Sequence, residues 1–147
     1  MLIDELLSVQ MKERYKALII CGAGMTGKTK LVKNYAEKYN AKYIDVLEYV
    51  NLSASLSDKI ETLKPVTILE WVKEYEAEDC VILDQLDFVF AIWSDTLKRE
   101  FIRRLDMKSN GTCIVAVLHN YKLFEQDGLM KTNGKGQSRI INIVELI

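Results

Sequence analysis

The stretch from residue 17 to residue 29 constrains this chain more than any other. Five apolar residues, Ala17-Leu18-Ile19-Ile20-Cys21, run straight into Gly22-Ala23-Gly24-Met25-Thr26-Gly27-Lys28-Thr29. A short continuous apolar run reads as a strand covered on both faces. After the glycines, residues 28–39 place Leu31, Val32, Tyr35 and Ala36 on one helical face. Strand, glycine-rich turn and helix therefore follow one another without a linker.

The eight residues from Gly22 to Thr29 match G-x-x-x-x-G-K-[ST] at every fixed position. Glycine lets the backbone curl until successive N–H groups converge on phosphate oxygens. The helix that begins near Lys28 adds its positive end. The Lys28 ammonium has the length to reach β- and γ-phosphates, and the Thr29 hydroxyl can ligate Mg²⁺. Ala23 and Thr26 are small enough for a tight wrap, and Met25 at the crown is neutral to it. The expected ligand is a nucleoside triphosphate with Mg²⁺, held by all eight residues. The alternative, a glycine-rich turn with a solvated lysine, fits the flanking strand and helix less well. No N/T-K-x-D base-reading signature of GTPases is present, which favours ATP.

The same alternation continues along the chain. Residues 2–14 carry Leu2, Leu6 and Val9 at helical spacing and read as an amphipathic lead-in helix. Strands are expected over 43–47, 80–84, 112–118 and 140–144. Residues 53–63 are weakly helical, and Pro65 opens the next helix, with Ile68, Trp71, Val72 and Tyr75 at core spacing. Residues 88–105 read as one long helix with Ile92, Leu97, Phe101 and Leu105 inward. This pattern predicts a three-layer α/β/α sandwich around a mostly parallel five-stranded sheet. Ligands in such sheets bind at the carboxyl ends of the strands.

Length and composition agree with one domain over residues 1–147. Hydrophobic residues make up 49% of the chain, enough for a core without disulfides. A net charge of -1 argues against a protein whose main task is coating DNA or an acidic membrane, though an indirect DNA contact stays open. Cys21, Cys80 and Cys113 sit in or at apolar strands without zinc or redox spacing, and read as buried thiols of a reducing cytosol. No apolar run approaches the roughly 18 residues that a membrane span needs. The first residues carry acids where a secretory signal carries base. The expected location is cytoplasmic.

A second acid site lies at the end of the third strand. Val81-Ile82-Leu83-Asp84 is an apolar run closed by a carboxylate. It resembles a Walker B strand, whose aspartate holds Mg²⁺; a simple helix-capping aspartate is the competing reading. With a strand intervening between the two motifs and a later strand ending in Asn120, the chain from residue 17 to residue 147 resembles P-loop ATPases of the additional-strand class, which includes AAA+ and STAND proteins. The resemblance implies that Thr29 and Asp84 position Mg²⁺. In that class a catalytic glutamate usually follows the aspartate, and here Gln85 stands in its place. Glutamine can orient a water but cannot take its proton. Asp87 either turns toward the γ-phosphate or N-caps the helix that follows. Asn120 is favoured over His119 as the polar residue that contacts the attacking water.

The resemblance also marks Arg139 as an arginine finger for a neighbouring subunit, against a solvated basic residue on the polar 131–139 stretch. Lys98-Arg99 and Arg103-Arg104 read as a solvated helix face. Trp71 and Trp93 read as packing residues. A helical lid of the AAA+ kind is not expected within residues 1–147. The phosphate loop, the Leu83-Asp84-Gln85-Leu86-Asp87-Phe88 segment and the short architecture resemble the BrxF family, small P-loop subunits of type 3 BREX phage-defence systems. That implies an accessory ATPase or nucleotide switch, slow or partner-activated, working beside a larger protein or as a homo-oligomer. Two rival functions remain: a small-molecule kinase and a non-hydrolysing ATP-binding scaffold.

Overall fold

Strands with apolar side chains on both faces need a layer of helices on each side, and the computed structural model has that arrangement. It describes residues 3–23, 27–52, 63–119, 129–130 and 138–146. Five strands pair in parallel: β1 (Ala17–Cys21), β2 (Ala41–Asp45), β3 (Cys80–Asp84), β4 (Cys113–Leu118) and β5 (Ile140–Asn142). Their order in the sheet is β2-β3-β4-β1-β5. The chain is an α/β protein with an all-parallel sheet flanked by helices.

Side-chain alternation divides the core between the two faces. Helices α1 (Ile3–Met11) and α2 (Lys28–Lys38) cover one face, where Leu6, Leu7, Val32 and Tyr35 pack on Leu18, Ile20, Ile82, Val115 and Val117. The opposite face carries α3 (Val46–Leu52), α4 (Pro65–Lys73), α5 (Asp87–Ile92) and α6 (Asp95–Asp106). There Val50, Ile68, Trp71, Phe101 and Leu105 close over Ile19, Val81, Leu83 and Ala116. Trp71 stacks on Tyr49 with ring centroids 4.4 Å apart. The Trp93 indole donates to the Leu63 carbonyl at 2.7 Å and packs against Phe90 and Phe101. Both tryptophans therefore serve packing. Cys80 and Cys113 are buried register partners on β3 and β4, and Cys21 is half-buried. A hydrogen bond with Cys113, together with burial, pushes the Cys80 thiol up.

Several boundaries differ from the sequence expectation. The second strand begins at Ala41 and stops at Asp45, because Val46 and Leu47 already belong to α3. The Asp45 carboxylate accepts the Glu48 N–H at 2.9 Å and so starts that helix. The long helix over 88–105 is two helices. Trp93 is extended at φ -77, ψ 145, and Ser94 caps the second helix by accepting the Leu97 N–H. Ile92, expected inward, is exposed beside that break. β5 is three residues long and passes into a 3-10 turn (Ile143–Glu145), where the Asn142 side chain takes the Val144 N–H. The weak helix expected over 53–63 falls, except for Leu63, outside the described residues. Among the described residues no helix is long and apolar enough to cross a membrane.

Candidate functional site

The carboxyl ends of β1, β3 and β4 open onto a cleft of about 380 Å³. Its floor is the start of α2. Gly27 sits just before that helix at φ 90, ψ 11, a left-handed conformation. A Cβ there would meet nothing within 4 Å, so the backbone rather than space requires glycine. The first turn of α2 has N–H groups without intrahelical partners, and these lie at the cleft. Of the expected phosphate cradle, Gly22 is buried and Ala23 exposed at the end of β1, while Gly24, Met25 and Thr26 lie outside the described residues.

Lys28 is buried, with 6% of its surface exposed. Its ammonium donates to the Gly22 carbonyl at 2.7 Å and the Ala23 carbonyl at 2.6 Å, so the side chain folds back across the mouth of the loop. Burial pushes the Lys28 ammonium down from the ordinary lysine range, against the Asp87 and Asp84 carboxylates, which pull it up.

Asp84 gathers three donors. Its Oδ2 accepts the Thr29 hydroxyl and the Tyr43 hydroxyl, each at 2.7 Å, and its Oδ1 accepts the Gln85 N–H at 2.8 Å. The residue is 3% exposed. The helix that follows has Leu86 as its N-cap and no side-chain cap, so the simple capping reading does not describe Asp84. Tyr43 was not singled out by sequence reasoning. It lies on β2, opposite Ile82, and reaches diagonally across to Asp84. Lys33 of α2 lies over its ring at 5.2 Å. Burial first and the Asp84 hydrogen bond second raise the Tyr43 phenol far above its ordinary range, so it stays a neutral donor.

Gln85 lines the cleft at φ 61, a left-handed backbone that a non-glycine residue adopts at a cost of about 1 kcal/mol or more. Asp87 also lines the cleft but caps no helix: the N-cap of α5 is Leu86. The Asp87 carboxylate instead accepts the His119 N–H at 2.8 Å and faces His119 Nε2 at 3.4 Å. His119, ranked below Asn120 on sequence grounds, thus belongs to the cleft. Asn120 lies outside the described residues.

Arg139 is elsewhere, and neither sequence reading of it describes its setting. It is 3% exposed, and its Nη1 lies 2.8 Å from Asp106 Oδ1. Its Nε donates to the Ala17 carbonyl at 3.2 Å. This is the amino end of β1, the far end of that strand from the phosphate loop. Burial and the Asp106 pair hold the guanidinium inside the fold, so it does not sit in solvent as a loop residue. On α6, Lys98 pairs with Asp95 and Arg104 with Glu100; Arg103 and Arg104 are exposed, whereas Lys98 and Arg99 are half-buried.

Among the described residues no three His, Cys, Asp or Glu side chains converge into an all-protein metal cage. A Mg²⁺ site needs none, since one carboxylate, one hydroxyl, phosphate oxygens and water suffice. Thr29 and Asp84 offer that donor set. No protein family and no curated protein matches this sequence. The parallel five-stranded sheet in the order β2-β3-β4-β1-β5 is compatible with Rossmann-like and P-loop folds.

Proposed function

We propose that the chain binds ATP with Mg²⁺ through a phosphate loop of the additional-strand class and works as an accessory ATPase or nucleotide switch in a larger assembly. The observation that carries this reading is the 2.7 Å bond between the Thr29 hydroxyl and Asp84 Oδ2. It joins the residue that ends the loop motif to the acid that ends β3, at the strand ends where open parallel sheets bind ligands. The strand order supports the class, because β4 lies between the loop-bearing β1 and the acid-bearing β3.

Each contact has a stated role. The N–H groups at the start of α2 and the Lys28 ammonium bind the phosphates. Thr29 and Asp84 hold Mg²⁺, which supplies charge neutralisation on the β- and γ-phosphate oxygens. Tyr43 keeps Asp84 oriented. Gln85, in the place of a catalytic acid, supports slow or partner-activated turnover, and it is also the observation that favours the non-hydrolysing scaffold as a second reading. The sequence resemblance suggests a setting among the larger proteins of a BREX-type defence system.

Calorimetric titration with Mg·ATP tests the reading. Lys28→Ala should weaken binding by about 100-fold, the loss of charge-assisted contacts worth about 2–3 kcal/mol. Asp84→Asn should weaken binding in Mg²⁺ and leave it unchanged in EDTA. A Lys28→Ala protein that binds as tightly as wild type sinks the proposal.

A further inference from the structure

Asp87 and His119 meet at the rim of the cleft from two different elements, the start of α5 and the end of β4. The attachment has two points. One carboxylate oxygen holds the His119 backbone at 2.8 Å, and the other faces ring Nε2 at 3.4 Å. Both residues line the same cleft as Lys28, Thr29, Asp84 and Gln85.

Hydrolysis of a phosphoanhydride benefits from a group that accepts the proton of the attacking water. Gln85 cannot accept it. Asp84 commits its two oxygens to three donors. The Lys28 ammonium is a donor. Asp87 turns both of its oxygens toward His119. Among the described residues that line the cleft the imidazole remains, and when its proton sits on the nitrogen that faces Asp87, the other ring nitrogen carries a lone pair.

We infer that His119 is the general base for water attack on the γ-phosphate and that Asp87 is its positioning residue; the inference rests on the nucleotide reading above. The water oxygen bonds to the γ-phosphorus while the bond from that phosphorus to the β–γ bridging oxygen breaks. The electron pair of that bond leaves with ADP. The water proton passes to the imidazole and then to solvent, and inorganic phosphate is the second product. Asp87 orients the ring and stabilises the imidazolium that forms. Among the described residues, the charged groups that share the cleft with the ring are Asp87 on α5, Lys28 and Lys30 on α2, and Asp84 on β3.

The test is single-turnover hydrolysis of γ-labelled ATP with protein in excess, from pH 5.5 to 9, alongside Mg·ATP titration. The His119 side chain is 52% exposed, so the fold tolerates its replacement. His119→Gln should bind Mg·ATP within about threefold of wild type and hydrolyse it about 100-fold more slowly, with the acid limb of the pH profile gone. Asp87→Asn should hydrolyse about tenfold more slowly, keep the acid limb that His119→Gln loses, and bind Mg·ATP within about threefold of wild type, so that the loss is confined to turnover. Turnover by His119→Gln within threefold of wild type, with the acid limb intact, overturns the inference. So does a wild-type protein that binds Mg·ATP and hydrolyses none of it above a protein-free blank. A wild-type protein that binds no Mg·ATP overturns the nucleotide reading itself, and the inference with it.

Discussion

The Tyr43 hydroxyl donates to the same Asp84 oxygen that accepts the Thr29 hydroxyl. Two neutral donors thus brace one carboxylate oxygen, and Tyr43 can do so only while its own proton stays in place.

That condition gives a pH prediction. The folded-state phenol of Tyr43 lies above its unfolded value, with burial as the main cause. Its contribution to stability is therefore fully present below about pH 10 and is lost as pH rises further, because the unfolded chain ionises there and the folded one does not. Each pH unit above 10 costs up to about 1.4 kcal/mol for such a tyrosine. Tyr35 is shifted in the same direction by burial and contributes equally to both proteins compared. The urea midpoint of wild type should fall between pH 8.5 and pH 11, and Tyr43→Phe should fall by visibly less.

Arg139 gives a stability prediction. It ties the start of β5 to the end of α6, and Asp106 also accepts the Met130 N–H at 3.1 Å. Removing the cation strands a carboxylate that the fold has partly withdrawn from water. Arg139→Leu should lose about 2 kcal/mol or more, allowing for the partial exposure of Asp106. The folded fraction should bind Mg·ATP as wild type does. Lost turnover with an unchanged urea midpoint is the opposite result and would restore the finger role.

Gln85 should behave in the reverse sense. Its left-handed backbone is a local cost that glycine does not bear, although glycine also loosens the unfolded chain. Gln85→Gly should be as stable as wild type or up to about 1 kcal/mol more so, whereas most replacements at a half-buried position destabilise. Thermal melts of the two proteins decide it.

The sheet was legible in the sequence because its signals are local. Ala17–Cys21 and Cys80–Asp84 are unbroken apolar runs. At two boundaries capping chemistry overrides the apolar pattern. Asp45 and Glu48 have the spacing of a helix start, yet Val46 and Leu47 prolong the apolar run and hide it. Ser94-Asp95 is a cap signal inside a stretch whose amphipathic period continues through the break. What stayed illegible depends on partners far away in sequence. Tyr43 meets Asp84 from 41 residues away, Asp87 meets His119 from 32, and Arg139 meets Asp106 from 33. No window of neighbouring residues contains those pairs.

One strand without a motif of its own sets the gauge of the cleft. β4 pairs with β1 on one side and β3 on the other, so the backbones of β1 and β3 stand two inter-strand steps apart, about 10 Å. Main-chain hydrogen bonds fix that width. Side chains at the rim can therefore be exchanged without altering the span they face, and whatever residue ends β4 stands on the midline between the two.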